Sequence, residues 1–108
     1  MSDTLDVRQG TLDLLVLKAL AMAPMHGWGI GERIAEMSGG IFRVGQGSLY
    51  PALHRFETRG WVLSYWRTTE NSRIARVYEL TVAGTRALDE EIAGWRQYTS
   101  AIDRVIGA

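Results

Sequence analysis

The chain has 108 residues, equal numbers of basic and acidic side chains at 12 each, and no cysteine. That length suits one domain with a modest core and leaves little room for the deep cleft of an enzyme. Without thiols there is neither a disulfide nor a thiolate metal site, which fits a reducing cytoplasm, and His26 and His54 lack ligand partners at metal-site spacing, so no metal or cofactor is expected.

The opening MSDTLDVRQG is polar and short, with no basic segment leading into an apolar run, so no signal peptide is expected and residues 1–9 read as a flexible segment. From Thr11 to Met22 the run TLDLLVLKALAM is apolar nearly all round, broken by Asp13 and Lys18, with Thr11 placed to cap it. Such a helix must be covered on more than one side, and a second subunit is one source of cover. Its longest apolar run, Leu14 to Leu17, falls far short of a membrane span, so no membrane partner is expected. Ala23 to Gly27 form a break. Trp28 to Ser38 then resumes helical spacing through Ile30, Ile34 and Met37, and Gly39 and Gly40 stop it. Gly29 and Gly31 weaken this helix and point to close packing against a neighbour. His26 reads as a packed or turn histidine.

After a short extended candidate at Ile41 to Val44 comes the stretch GQGSLYPALHRFETRG, Gly45 to Gly60. On a helix, Leu49, Ala52, Leu53 and Phe56 form one apolar stripe. The far side carries Gly47, Pro51, His54 and Thr58, flanked by Tyr50 and Arg55. A helix meant only to stay soluble more often shows Glu and Lys, whereas this one offers Gln46, Ser48, Tyr50, His54 and Arg55, groups able to read base edges and hold phosphates. Pro51 lacks an amide hydrogen and fits best in the first turn, with Ser48 as N-cap. The free amides of that turn would face outward, ready for a phosphate.

Trp61 to Arg67 (WVLSYWR) and Arg73 to Leu80 (RIARVYEL) are rich in β-branched and aromatic residues and are joined by a polar link, which reads as a β-hairpin. Trp61, Tyr65, Trp66 and Tyr78 are read as cross-strand and core packing. Net charge is zero overall, yet residues 42–80 hold Arg43, Arg55, Arg59, Arg67, Arg73 and Arg76 against Glu57, Glu70 and Glu79. Positive charge is therefore concentrated in the middle of the chain. Arg67, Arg73 and Arg76 crowd the hairpin tip, where they either lie along a phosphate backbone or form a solvated face.

Thr81 can cap a last long helix. Leu88, Ile92, Trp95, Thr99, Ile102 and Ile106 recur at spacings of four and three, a heptad seam with one polar member. At about 1.5 Å per residue this helix runs on the order of 38 Å and projects beyond a small globule. The seam either folds back on its own domain or meets an identical helix from a second copy; the surplus apolar surface around Leu14 and Leu15 favours the homodimer.

Helix, helix, short strand, helix, hairpin, helix is the order of a winged helix-turn-helix: mainly α with a small hairpin, residues 10–80, followed by a dimerisation helix, residues 81–108. Topology alone leaves open a winged protein-interaction module that never touches DNA. Catalysis finds no support, since no nucleophile is paired with a base and no glycine loop cradles a phosphate.

The stretches GTLDLLVLKAL (10–20), MHGWGI (25–30), QGSLYPALHRFETRGW (46–61) and TENSRIARVYELT (69–81), with the tail around Trp95, resemble the PadR family of bacterial transcriptional regulators, in its short branch with a single C-terminal helix. The match runs in one order from Gly10 onward. The resemblance implies a homodimeric repressor of double-stranded DNA whose last and first helices form the dimer interface. Gln46, Ser48, Tyr50, His54 and Arg55 match the recognition-helix motif, Arg43 precedes it in the same place, and Arg73 and Arg76 match the basic pair of the wing. Ile74 stands where a second arginine is common, and Val77 where a tyrosine is common, which weakens the expected phosphate contact. Trp95 occupies the position at which drug-responsive members line a pocket across the dimer axis, where a planar aromatic effector stacks between paired indoles; simple seam packing is the alternative.

Overall fold

The computed structural model describes residues 5–6 and 9–107, with side chains from Gly10 onward. Among the described residues nine elements follow in order: β1 (Leu5–Asp6), α1 (Gln9–Met22), β2 (Met25–His26), α2 (Gly27–Met37), β3 (Phe42–Arg43), α3 (Gln46–Thr58), β4 (Val62–Thr68), β5 (Ile74–Leu80) and α4 (Val82–Ile106). This is the expected mainly helical winged architecture with a long last helix. The expected flexible segment 1–9 contributes β1, paired in parallel with β3, and the first residue of α1; its other residues lie outside the described ones.

The core forms where apolar stripes from α1, α2, α3 and α4 converge on the sheet. Leu12, Val16, Leu17, Ala19 and Leu20 of α1 are buried together with Ile30, Ile34, Leu49, Leu53 and Phe56. Their spread around α1 is why that helix is apolar on nearly every side. Phe56 is the largest fully buried side chain, with the Trp61 ring 5.5 Å away. Truncating Phe56 to alanine is expected to cost about 3–5 kcal/mol.

Several local expectations need correcting. Helix α1 already runs at Gln9, so Thr11 lies inside it and does not cap it. The break before α2 contains β2, whose Met25 and His26 pair with Tyr78 and Val77 and make the hairpin a three-stranded sheet, in the order β2-β5-β4. Helix α2 starts one residue early, at Gly27, because His26 is its N-cap and accepts the Gly29 amide at Nδ1, 3.1 Å away. The tightly packed glycine is Gly27 and not Gly31, which has only the Val44 carbonyl oxygen nearby, at 3.9 Å from an added Cβ. At Gly29 the nearest neighbour of such a Cβ is the capping His26 ring, at 3.3 Å.

The last two turns of α2 end as expected. Ser38 accepts the Phe42 amide on its hydroxyl, and Gly39 and Gly40 take left-handed φ angles of 67° and 81°. Helix α4 is capped by Thr81, whose Oγ1 accepts the Gly84 amide at 3.0 Å. At 25 residues it is about 38 Å long. Its far half stands clear of the globule, and the radius of gyration of 15.1 Å exceeds the roughly 13 Å of a compact chain this size.

Candidate nucleic-acid interface

Helix α3 turns its stripe inward as expected: Leu49, Ala52, Leu53 and Phe56 are all buried. That fixes the opposite side. Gln46, Gly47, Ser48, Pro51, His54 and Thr58 are exposed, and Tyr50 is 42% exposed. The N-cap is Gly45, which has no side chain to offer, so Ser48 is not the cap but the third helical residue. Pro51 lies inside the helix and not in its first turn. Without an N–H it cannot return a bond to the carbonyl of the residue four before, Gly47.

Arg55 departs most from expectation. At about 100° per residue it stands roughly 140° around the helix from Tyr50. It is only partly exposed, and its Nη2 donates to Oδ1 of Asp13 on α1 at 2.8 Å. Tyr50 and His54 instead face the wing. With Glu57, Thr58, Arg76 and Tyr78 they line an open cleft of about 570 Å³ between α3 and the sheet.

In the wing, Ser64, Trp66 and Thr68 stand opposite Tyr78, Arg76 and Ile74 on the sheet face that turns towards α3. Arg76 is held there by Glu57: its Nη2 lies 3.2 Å from Glu57 Oε2, its Nε donates to Ser64 Oγ at 2.9 Å, and Ser64 donates to the same carboxylate at 2.8 Å. The guanidinium also lies 5.7 Å from the Trp66 ring centre. Trp66 itself is 66% exposed, so it is not the packed residue expected; Tyr78 is buried, and Trp61 and Tyr65 are partly so. Burial raises the Tyr78 phenol above its usual range, against a smaller opposing effect of the nearby Arg76 charge.

At the wing tip, Thr69 accepts the Arg73 amide on Oγ1 at 3.3 Å, the Thr69 amide bonds the Arg73 carbonyl, and Ser72 takes a φ of 57°. Arg73 is exposed there. Arg67 lies on the other sheet face, 5.9 Å from the Tyr65 ring centre. Arg43 is exposed on β3, at the rim of a recess of about 280 Å³ shared with Trp28 and Gln46. The structure thus gathers Tyr50, His54 and Arg76 beside one cleft, places Arg73 at the wing tip, and turns Arg55 away.

A second concave region lies between α1 and α4. Leu14, Trp95, Tyr98 and Ile102 line an open groove of about 690 Å³. The Trp95 and Tyr98 rings are 6.4 Å apart. Tyr98 lies outside the heptad positions and was missed there, although its spacing from Trp95 and Ile102, three and four residues, is the signal that places it. Leu88 is buried and Ile92 partly buried against the domain, whereas Ile102 and Ile106 are exposed. Thr99 turns its hydroxyl back to the Trp95 carbonyl at 3.0 Å. Leu15 is on another side of α1, in a recess with Ile34, Met37 and Phe42, and so does not join Leu14 in this groove.

Among the described residues no group of three or more His, Asp or Glu is arranged to hold a metal ion. No helix among them is long and apolar enough to cross a membrane.

Residues 16–90 match the model of the Transcriptional regulator PadR-like family. An uncharacterised 37.1 kDa protein in a transposon of Streptomyces fradiae is 40% identical over 79% of this chain, which spans only 23% of that protein's length. A transcriptional regulator of Mycobacterium tuberculosis is 35% identical over 80% of this chain and 77% of its own. The solved structure of a PadR family transcriptional regulator from Eggerthella lenta superposes with a TM-score of 0.78 at 26% identity, covering 91% of this chain and 83% of that one.

Proposed function

Because the chain belongs to the PadR-like family of transcriptional regulators, we propose that it is a cytoplasmic, homodimeric repressor that reads a pseudo-palindromic operator in duplex DNA. The observation that carries this reading is the exposed face of α3, where Gln46, Ser48, Tyr50 and His54 stand clear of the core beside a basic wing. Such a helix enters a major groove with hydrogen-bonding groups on its outer side, while the hairpin lies against flanking backbone. Two copies related by a two-fold would set their α3 helices about 34 Å apart, one turn of B-form DNA. Arg73 and Arg43 are the wing-tip and strand cations best placed for phosphates, and Arg76 reaches the same side through its bond to Glu57.

The exposed far half of α4 supports the dimer. Tyr98, Ile102, Val105 and Ile106 form an exposed apolar end on this helix. In such a dimer the Trp95 grooves of the two copies face the axis, and a planar aromatic effector stacked there would change the angle between wings.

Incubating the purified chain with a random-sequence duplex pool and sequencing what it retains tests the proposal. An enriched inverted repeat is expected. Failure to retain any duplex would leave the winged module as a protein-interaction surface instead, and retention without sequence enrichment would reject sequence reading by α3.

A further inference from the structure

Tyr50 is an exposed side chain of α3 whose position is set from outside its own helix. The phenol lies on the backbone of Gly27, so that a Cβ added there would stand 2.5 Å from Oη and 2.7 Å from Cε1 and Cζ. Carbon atoms in ordinary contact are about 3.5–4.0 Å apart. Gly27 is buried and begins α2 with no left-handed φ, so space and not backbone freedom demands glycine there.

Gly27 is itself fixed on both sides. The two residues before it form β2, with Met25 opposite Tyr78 and His26 opposite Val77 on β5. Two residues after it, the Gly29 amide is bonded to the His26 ring. The ring of Tyr50 therefore rests on a support that is hydrogen-bonded to the wing strand, and it shares its cleft with Arg76 and Tyr78 from that strand.

We propose that Gly27 is a positioning residue: by leaving room for the Tyr50 phenol it holds that side chain in one orientation and joins the recognition helix to the wing as a single reading surface. The inference rests on the functional reading above. A side chain ordered before binding has less freedom left to lose when DNA arrives. In Gly27→Ala the new methyl must push the ring aside, since the phenol is the movable partner.

The test uses the full chain and two probes, the duplex enriched from the random pool and a scrambled duplex of the same composition, followed by fluorescence anisotropy with thermal melts in parallel. Gly27→Ala is expected to lose roughly threefold to tenfold in preference for the enriched duplex, with affinity for the scrambled one unchanged. Gly27→Ala combined with Tyr50→Ala is expected to bind no worse than Tyr50→Ala alone, because both changes act on the same side chain. Any fall in melting temperature caused by Gly27→Ala should be recovered in the double variant, where the phenol is gone. Wild-type preference in Gly27→Ala, or losses that simply add, overturns the inference and leaves the role of α3 standing. Wild-type preference in Tyr50→Ala overturns both.

Discussion

Arg55 on α3 donates to Asp13 on α1 across 2.8 Å, and the contact ties the back of α3 to the first helix. An arginine that its place in the motif assigns to DNA is thus engaged within the fold. The pair is partly exposed, so its worth is expected to be about 1 kcal/mol or less. Asp13→Asn and Arg55→Ala should each lower the melting temperature slightly. Arg55→Ala should reduce discrimination between the enriched and scrambled duplexes far less than Tyr50→Ala does. Equal losses in anisotropy titrations would return Arg55 to the reading face.

The wing divides its arginines by their partners. Arg73 is exposed at the tip, whereas Arg76 shares its charge with Glu57. Arg73→Ala should weaken binding to all duplexes alike and reduce the salt slope by about one phosphate contact. Arg76→Ala should reduce it less. Glu57→Gln is expected to do the opposite and strengthen binding without regard to sequence, since it unmasks Arg76. Titrations at two or more salt concentrations measure all three slopes, and a sequence-selective loss in Arg73→Ala would place that residue on bases.

The proposed dimerisation through α4 predicts that a charge in the middle of its exposed end separates the copies. Ile102→Glu or Val105→Glu should shift the chain to a monomer in analytical ultracentrifugation while its thermal transition stays cooperative, because neither residue belongs to the buried core. A monomeric wild type would reject the assignment of this helix end.

Tyr78 makes stability sensitive to alkali. Its folded pKa lies above the usual value of 10.0, chiefly because burial disfavours the phenolate. The phenol's contribution is whole below the unfolded value and is lost as pH rises from there through the folded one. Denaturation midpoints should therefore begin to fall above about pH 10, and Tyr78→Phe should remove part of that fall. An identical alkaline profile in the variant would argue against this burial.

Periodicity made the larger features legible. The stripe Leu49, Ala52, Leu53 and Phe56, the Thr81 cap, the stop at Gly39 and Gly40 and the length of α4 all follow from spacing and local turn chemistry. What stayed hidden is short or non-local. A strand of two residues, Met25 and His26, has no period to detect, and its pairing with β5 depends on the fold. The start of α3 was misplaced because Gly45 and Gly47 on either side of Gln46 blur the first turn, and a proline is easier to place there than inside a helix. The contacts Asp13 to Arg55 and Gly27 to Tyr50 join residues far apart in the chain, which no local pattern encodes. Aromatic residues on strands generally pack, which is why the sequence suggests a packed Trp66; on the wing it stays 66% exposed, with the Arg76 guanidinium 5.7 Å from its ring centre.

Hydroxyl-radical footprinting of the enriched duplex tests most directly whether the outer side of α3 reads DNA as a symmetric pair. Two protected patches about 10 base pairs apart, lost together in Tyr50→Ala, are the expected result. A wild-type footprint that is absent, or spread evenly along the duplex and unchanged in Tyr50→Ala, would contradict it.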